Sequence, residues 1–312
     1  MESSVFASTL LPNKWSEVNA ILFLESIREN AGHLSKAPVW FFTPNSDKEI
    51  SPYAKEKLES LNASITEFKL DTEMMKFPFI AEANAAGTAE KLAKREHDIL
   101  IWLTTNTLIL KEPSAFLLPE RYAFGYRPVH HKLVGSRWGE PLDEFWSWVY
   151  KYCGIEESQI FPMTSHIDGE KIKPYFNAGS FSLRPEEGIL ERWRDAFTQG
   201  YQDPRLQALY QQDDRYAIFI HQALFTGVVL SSLERSNMLE LPSSYNYPSH
   251  LHGEDVTDSK PQMMDQCTTI RHEGFYKDRD WKSRMVASDE FKSWNKSDVT
   301  SCFERYFRFY VI

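Results

Sequence analysis

Short apolar runs alternate with amphipathic stretches along the first third of the chain, and this alternation constrains the fold most. Residues 99–103 (Ile-Leu-Ile-Trp-Leu) form a continuous apolar run, which is typical of a strand buried on both faces of a sheet. Strands that alternate with helices indicate an α/β fold with a mainly parallel central sheet flanked by helices. The pattern predicts strands at residues 5–11, 39–42, 64–70 and 99–103, and helices at 15–30, 51–61 and 80–96.

The second half of the chain has a more interrupted pattern. Asp168-Gly169 indicates a hairpin turn, because both residues tolerate positive φ. No repeat, low-complexity run or Gly/Ser linker divides the sequence, so we expect one domain over residues 1–285 and an extension, 286–312, packed on it. The aromatic residues 302–312 are expected to cover a sheet edge. The pattern predicts helices at 142–152, 189–197 and 215–225, the last leading into Val228-Val229-Leu230, and a short strand at 181–183.

Composition limits the function classes. The 35 Lys and Arg residues against 44 Asp and Glu give a net charge of −9, which disfavours a nucleic-acid partner. Cys153, Cys267 and Cys302 are odd in number and far apart, so they indicate neither a disulfide framework nor a zinc site. No run approaches the roughly 18–20 apolar residues of a membrane span, and the first residues lack the basic region of a signal peptide. We therefore expect a cytoplasmic protein without a transmembrane segment.

The sequence lacks the common catalytic motifs, namely the phosphate-binding loop, the GxGxxG turn, the HExxH helix and the GxSxG elbow. In an open parallel sheet, ligands bind beyond the carboxyl ends of the strands. Polar residues stand at three such ends: Ser8 and Thr9 after the first run, Thr43 after the second, and Thr104-Thr105-Asn106 after the fourth. These positions are the first candidates for a binding site.

Five segments, in chain order, resemble the GT-A glycosyltransferases, especially the family 8-like ones. In residues 98–110 an apolar strand runs into Thr104-Thr105-Asn106, where that family has Asp-x-Asp followed by Thr-Leu-Val-Leu. The resemblance covers roughly residues 5–281 and implies the GT-A fold. The other four segments are Phe176-Asn177-Ala178-Gly179, His221-Gln222-Ala223-Leu224, Leu241-Pro242-x-x-Tyr245-Asn246, and His272-x-Gly274-x-x-Lys277, which is similar to the family's His-x-x-Gly-x-x-Lys.

The resemblance implies a glycosyltransferase that moves a sugar from a nucleotide-diphosphate donor, with a UDP-sugar favoured, to a carbohydrate or other hydroxyl acceptor. It implies that Asn177 and Gln222 hold the donor sugar at the reacting centre, and that Tyr245, Asn246 and Tyr247 shape a pocket wall. The full set of donor-binding residues that it implies is Ser8, Thr9, Thr104, Asn106, Asn177, Gly179, His221, Gln222, His272, Gly274 and Lys277.

The departures from the family concern charge. Asp-x-Asp holds a divalent cation that neutralises the donor diphosphate, but Thr104 and Asn106 are neutral, and His221 stands where an acidic residue is expected. We expect no required cofactor, and leave Mn²⁺ or Mg²⁺ open as an alternative with Asn106 and His272 as candidate ligands. Without a metal, side chains must meet the charge of the leaving nucleotide, and the natural candidates are Arg271, His272 and Lys277.

Several alternatives stay open at this point. A chain that has lost the carboxylates can be a catalytically degenerate GT-A-like protein that binds a glycan or a partner. A nucleotidyltransferase fits less well, because residues 8–14 contain no Gly-rich phosphate loop; a protein with no nucleotide role also remains. A local basic cluster is either a solvated loop or a contact for phosphate or an anionic acceptor; its residues are Arg127, His130, His131, Lys132 and Arg137. The tryptophans assigned to packing are Trp146, Trp148 and Trp193.

Overall fold

The computed structural model describes residues 2–274, 277 and 285–289. Its strands are β1 (Ser4–Thr9), β2 (Val39–Pro44), β3 (Ala63–Phe68), β4 (Ile99–Leu103), β5 (Thr107–Ile109), β6 (Phe124–Pro128), β7 (Met163–Thr164), β8 (Lys171–Ile172), β9 (Phe176–Leu183), β10 (Met238–Glu240), β11 (Tyr247–Pro248) and β12 (Thr269–Arg271). Its helices are α1 (Lys14–Asn30), α2 (Pro52–Ser60), α3 (Ile80–Ala93), α4 (Glu144–Cys153), α5 (Ile189–Gly200), α6 (Pro204–Gln212) and α7 (Asp214–Ser232).

A seven-stranded sheet lies at the centre, in the order β10-β6-β9-β4-β1-β2-β3. Its pairs are parallel, except that β9 runs antiparallel to both β4 and β6. A three-stranded sheet, β11-β12-β5, and the β7–β8 hairpin lie beside it. The prediction of an α/β fold with a mainly parallel central sheet is therefore confirmed.

Helices cover both faces of the central sheet because its strands are apolar on both sides. In β4, Leu100 and Trp102 point into one core layer with α3, α5 and α7. The alternate residues Ile99, Ile101 and Leu103 point into the other layer with α1 and α2. Every residue of β4 is buried. This explains why residues 99–103 are apolar without alternation.

The helix starts follow local sequence rules. The Asn13 side chain accepts a hydrogen bond from Ser16 N and so caps α1, and Ser51 caps α2 directly before a proline at its first position. Asp143 caps α4, which ends at Gly154 in the left-handed region, with φ of 68°. These caps place the elements close to their predicted boundaries.

Several predictions need correction. The predicted strand at 181–183 is only the end of β9, and Val228-Val229-Leu230 belongs to α7 rather than following it. Strands β6 and β10 and helix α6 were not predicted. Asp168-Gly169 does lie in the turn between β7 and β8, with Gly169 at φ of 63°.

Other predictions concern the termini, the tryptophans and membrane spans. Of the predicted extension, only residues 286–289 are described, and Cys302 with the aromatic segment 302–312 lies outside the described residues. Trp146, Trp148 and Trp193 are buried, as predicted. Among the described residues, no helix combines the length and the apolar character needed to cross a bilayer.

Candidate functional site

A cleft of about 220 Å³ lies at the carboxyl end of β4. The chain is held together there by backbone hydrogen bonds: Thr104 N donates to Gly179 O at 2.9 Å, and His272 N donates to Asn106 O at 2.9 Å. The ends of β4, β9 and β12 consequently meet at one place. Five predicted residues line this cleft, namely Thr104, Asn177, Gly179, His221 and Gln222.

The two amide side chains are oriented by the backbone of β9. Asn177 Oδ1 accepts a hydrogen bond from Gly179 N at 2.9 Å, and Gln222 Oε1 accepts one from Ala178 N at 3.2 Å. Because a backbone N–H only donates, each amide oxygen already accepts one hydrogen bond, and the other end of each side chain is an NH₂ donor. The Gln222 amide also interacts with the Tyr175 hydroxyl. The cleft thereby presents amide donors of the kind that bind sugar hydroxyl oxygens.

His221 contributes a neutral ring to the same wall. Its Nδ1 lies 2.7 Å from the Ile218 carbonyl oxygen, so Nδ1 carries the proton and donates to it, which leaves Nε2 as an acceptor. Burial, opposed by the bond to Ile218, lowers the pKa of His221 to about 3. The position where the family has an acidic residue therefore keeps a hydrogen-bond acceptor but carries no charge.

Aromatic rings form the apolar part of the cleft. Phe79 stacks on His221 with ring centroids 4.2 Å apart, and Trp102 and Trp193 lie along the same wall. Phe79 is partly exposed and has a left-handed backbone, with φ of 61°, which is unusual for a bulky residue. Flat apolar rings beside amide donors suit a sugar, which has both C–H faces and hydroxyl groups.

Arg271, the last residue of β12, also lines the cleft. A Cβ added at Gly179 would lie 2.9 Å from Arg271 Nη1, so the glycine makes room for the guanidinium. Arg271 pairs loosely with Glu273, with 3.7 Å between Nε and Oε1, and its side chain is 23% exposed. The cleft thus contains a cation that is partly shielded from water.

The predicted metal ligands do not fit a Mn²⁺ or Mg²⁺ site. The Thr104 hydroxyl donates to Asn106 Oδ1 at 2.7 Å, so the amide oxygen already has a partner. His272 is fully buried, and its Nδ1 accepts a hydrogen bond from Gly274 N at 3.1 Å. Within the described ranges, no group of three or more His, Cys, Asp or Glu side chains is placed to hold a metal ion. Hard cations prefer several oxygen ligands, which these residues do not supply.

The remaining predicted donor-binding residues do not line this cleft, although Asn106 contacts Thr104, which does. Ser8 and Thr9 are buried in β1. The exposed Lys277 Nζ lies 4.0 Å from the centre of the Trp15 ring, and the Lys277 side chain folds against Gly274. Burial, followed by the nearby Arg271, lowers the pKa of His272 to about 3, so it is neutral.

The basic cluster is divided by the fold. Arg127 is buried and donates to the Leu241 carbonyl oxygen at 2.7 Å, and Arg137 is exposed and pairs with Glu170 at 2.9 Å. His130 and His131 reach the cleft wall. The His130 ring lies 3.0 Å from the Asn246 carbonyl oxygen, so the predicted wall residue Asn246 orients it from behind.

A second, larger cleft of about 800 Å³ adjoins the first. The two share Phe79 and Glu82, at the start of α3. The larger cleft also includes residues 11–13 after β1 and residues 45–48 after β2, so it follows the carboxyl edge of the parallel strands. Burial raises the pKa of Glu82 above its ordinary value. Sequence reasoning did not identify Glu82, Phe79 or this second cleft.

Comparison with known proteins decides the family. The model of the Rhodobacterales glycosyltransferase domain matches residues 10–221, which is more than half of the chain. The chain belongs to this family. The resemblance to glycosyltransferases is thus confirmed at the level of this family, and membership of family 8 in particular stays a prediction. No curated protein matches it in sequence.

Solved structures agree with the GT-A fold. The apo structure of the bifunctional glycosyltransferase WbbM is similar over 92% of this chain and 50% of WbbM, with a TM-score of 0.51 and 13% identity. The chain thus spans half the length of WbbM. The galactosyltransferase LgtC in complex with donor and acceptor sugar analogues has a TM-score of 0.45 and 13% identity, over 86% of this chain and 87% of LgtC. Mouse xyloside xylosyltransferase 1 has a TM-score of 0.43 and 13% identity, over 87% of this chain and 98% of its own.

Proposed function

We propose that this glycosyltransferase moves a sugar from a nucleotide-diphosphate donor, a UDP-sugar by preference, to a hydroxyl acceptor without a resident metal ion. The observation that carries the proposal is the convergence of Asn177, Gln222 and His221 on one cleft with aromatic walls. Amide donors, an imidazole acceptor and flat rings form a set that recognises a neutral sugar. In this arrangement Asn177 and Gln222 hold the donor sugar.

The adjoining cleft suits the nucleotide. It follows the ends of β1 and β2. At Phe79 it meets the first cleft, which Asn177, Gln222 and His221 line and which we call the sugar cleft. We assign the diphosphate of a donor that spans both clefts to the part of the first cleft that Thr104 lines, before the turn that continues to Asn106. The proposal therefore assigns Thr104 and Asn106 to hydrogen bonds with the donor.

Titration calorimetry with UDP-, GDP- and ADP-sugars, each with Mn²⁺ and with EDTA, tests the proposal. We expect one nucleotide class to bind in EDTA, and Gln222→Leu to weaken the nucleotide sugar more than the free nucleotide, because Gln222 contacts the sugar. Gln211→Leu on the exposed part of α6 is the matched control. If none of the nucleotide sugars binds, the proposed function is wrong; if binding strictly requires Mn²⁺, the metal-free version is wrong.

The neutral side chains at Thr104 and Asn106 favour a second candidate, a degenerate protein that binds a glycan or a partner without turnover. Mass spectrometry of the donor after incubation separates the two. An active transferase releases free nucleotide, with water as a slow acceptor, and accelerates this when an acceptor is added. A degenerate binder leaves the donor intact over hours.

A further inference from the structure

Arg271 places a guanidinium group in the sugar cleft. Its ion pair with Glu273 is 3.7 Å long, beyond hydrogen-bond distance, and Glu273 is 58% exposed. Within the part of the chain that the structure describes, the Arg271 side chain donates no hydrogen bond. A guanidinium has five N–H donors in a planar fork, and a shielded one without acceptors is costly. The arrangement is that of a site prepared for an anion.

Two of the histidine rings that share the cleft with Arg271 are neutral. His221 and His130 line the same cleft, and burial together with the nearby Arg271 lowers the pKa of each. Thr104 Cγ2 and Asn177 Oδ1 both lie 3.3 Å from a Cβ built at Gly179, beside the 2.9 Å approach of Arg271 Nη1. Among the described residues, the acidic side chains that line the cleft are Glu273 and Glu82.

We propose that Arg271 is the anion-binding residue of the cleft, and that its guanidinium holds the donor diphosphate in the role that Asp-x-Asp enzymes give to a divalent cation. This rests on the proposed function. A planar fork binds two anionic oxygens at once, which an ammonium group cannot do. A sugar carboxylate has the same anionic oxygens, so it is the other source of this chemistry. Of the three candidates that the sequence offers for this role, Arg271, His272 and Lys277, the proposal selects Arg271.

Calorimetry with inorganic pyrophosphate and with UDP, both in EDTA, tests the assignment. We expect the wild-type protein to bind both, and Arg271→Gln to weaken both by at least about tenfold, because hydrogen bonds to charged groups are lost. Arg271→Lys restores part of the loss, since it keeps the charge without the fork. Arg95→Gln, exposed beyond the far end of α3, is the control. Thermal unfolding verifies that each variant is folded.

A variant that is expected to strengthen pyrophosphate binding distinguishes an electrostatic effect from a merely structural one. Glu273→Gln removes the carboxylate that competes for Arg271, so we expect pyrophosphate to bind more tightly, by about two- to fivefold. A comparison of UDP-glucuronate with UDP-glucose identifies the anion that Arg271 binds. If Arg271→Gln removes only the tighter binding of UDP-glucuronate over UDP-glucose and leaves the UDP affinity unchanged, the anion is a sugar carboxylate and the diphosphate assignment is wrong.

The remaining outcomes are also decisive. Equal binding by Arg271→Gln and wild type, or wild-type binding of pyrophosphate and UDP only with Mn²⁺, overturns the proposal. Failure of wild type to bind either anion overturns it as well. Pyrophosphate carries no sugar or base, so Arg271-dependent binding of pyrophosphate can be observed even if no nucleotide sugar binds. The failure of the proposed function is therefore distinguishable from the failure of the Arg271 assignment.

Discussion

Gly179→Ala tests whether the space beside β9 is reserved for the Arg271 guanidinium. The new Cβ would lie 2.9 Å from Arg271 Nη1 and 3.3 Å from Asn177 Oδ1 and Thr104 Cγ2. Carbon atoms in comfortable contact are about 3.5–4.0 Å apart, so the guanidinium must move by roughly 0.5 Å or more. The substitution therefore acts most strongly on the end of the Arg271 side chain, which is the closest of the three groups.

The expected cost in stability is small. Gly179 lies within β9 and its φ is not in the left-handed region, so alanine is compatible with the backbone. Alanine also reduces the conformational entropy of the unfolded chain, which favours folding by about 0.5–1 kcal/mol. The closest atom is the end of a flexible side chain, so we expect the free energy of unfolding to change by less than about 1 kcal/mol.

The expected cost in binding is larger. Displacing the guanidinium removes a charged hydrogen bond, which contributes about 1.5–3 kcal/mol and corresponds to a loss of roughly ten- to a hundredfold in affinity. Calorimetry with UDP in EDTA measures it, next to a thermal melt. Gly253→Ala, where an added Cβ meets no atom within 4 Å, is the control. A folded Gly179→Ala protein with wild-type UDP affinity refutes this reasoning, and so does a loss of several kcal/mol in stability.

Three further predictions concern charge. Burial raises the pKa of the Glu90 carboxyl to about 7. The folded protein holds this proton more tightly than the unfolded chain does, so the free energy of unfolding falls as pH rises from about 4.5 through 7. In urea unfolding, the stability of Glu90→Gln relative to wild type should therefore rise by up to about 3 kcal/mol between pH 5 and pH 8. The double variant Thr104→Asp, Asn106→Asp should bind UDP at least about tenfold more weakly in EDTA, because the new carboxylates attract Arg271 and repel the diphosphate. Mn²⁺ should restore UDP binding to this variant. Calorimetry in which Mn²⁺ has no effect on its UDP affinity contradicts the prediction. Lys277→Gln should weaken UDP binding by no more than about threefold, because an exposed ammonium contributes little, and a loss as large as that of Arg271→Gln would return the phosphate role to Lys277.

Sequence periodicity was sufficient for the first four strands, because each has a strong local signal. It failed for β6 and most of β9. Residues 176–180 (Phe-Asn-Ala-Gly-Ser) have few strand formers, yet they form the first part of β9. Long-range contacts hold this part: Phe176 lies opposite Pro128 of β6, Ser180 lies opposite Leu103 of β4, and Gly179 O accepts a hydrogen bond from Thr104 N. Pairing partners that lie far apart in sequence decide such strands, and a local pattern does not contain them.

The structure brings three of the predicted site residues together, because Asn177, Gly179 and Gln222 line one cleft. Their role in holding a donor stays a prediction. The choice between Arg271 and His272 depended on strand geometry. Successive side chains of an extended segment point to opposite faces, so Arg271 reaches the cleft while His272 is fully buried. A signal was present: in the family pattern His-x-x-Gly, counting back from Gly274 gives Arg271 rather than His272.

In a protein with a net charge of −9, the neutral side chains at positions 104, 106 and 221 bear directly on how an anion is bound. An acidic protein repels a diphosphate at long range, but exposed charges are screened beyond about 8–10 Å at physiological salt. Inside a partly buried cleft, screening is weaker and one guanidinium acts strongly on an anion. Carboxylates at positions 104, 106 and 221 would compete for that guanidinium unless a metal ion neutralised them. Thr104, Asn106 and His221 keep hydrogen-bonding atoms without that competition, so the loss of the acidic residues and the presence of Arg271 are two parts of one electrostatic arrangement.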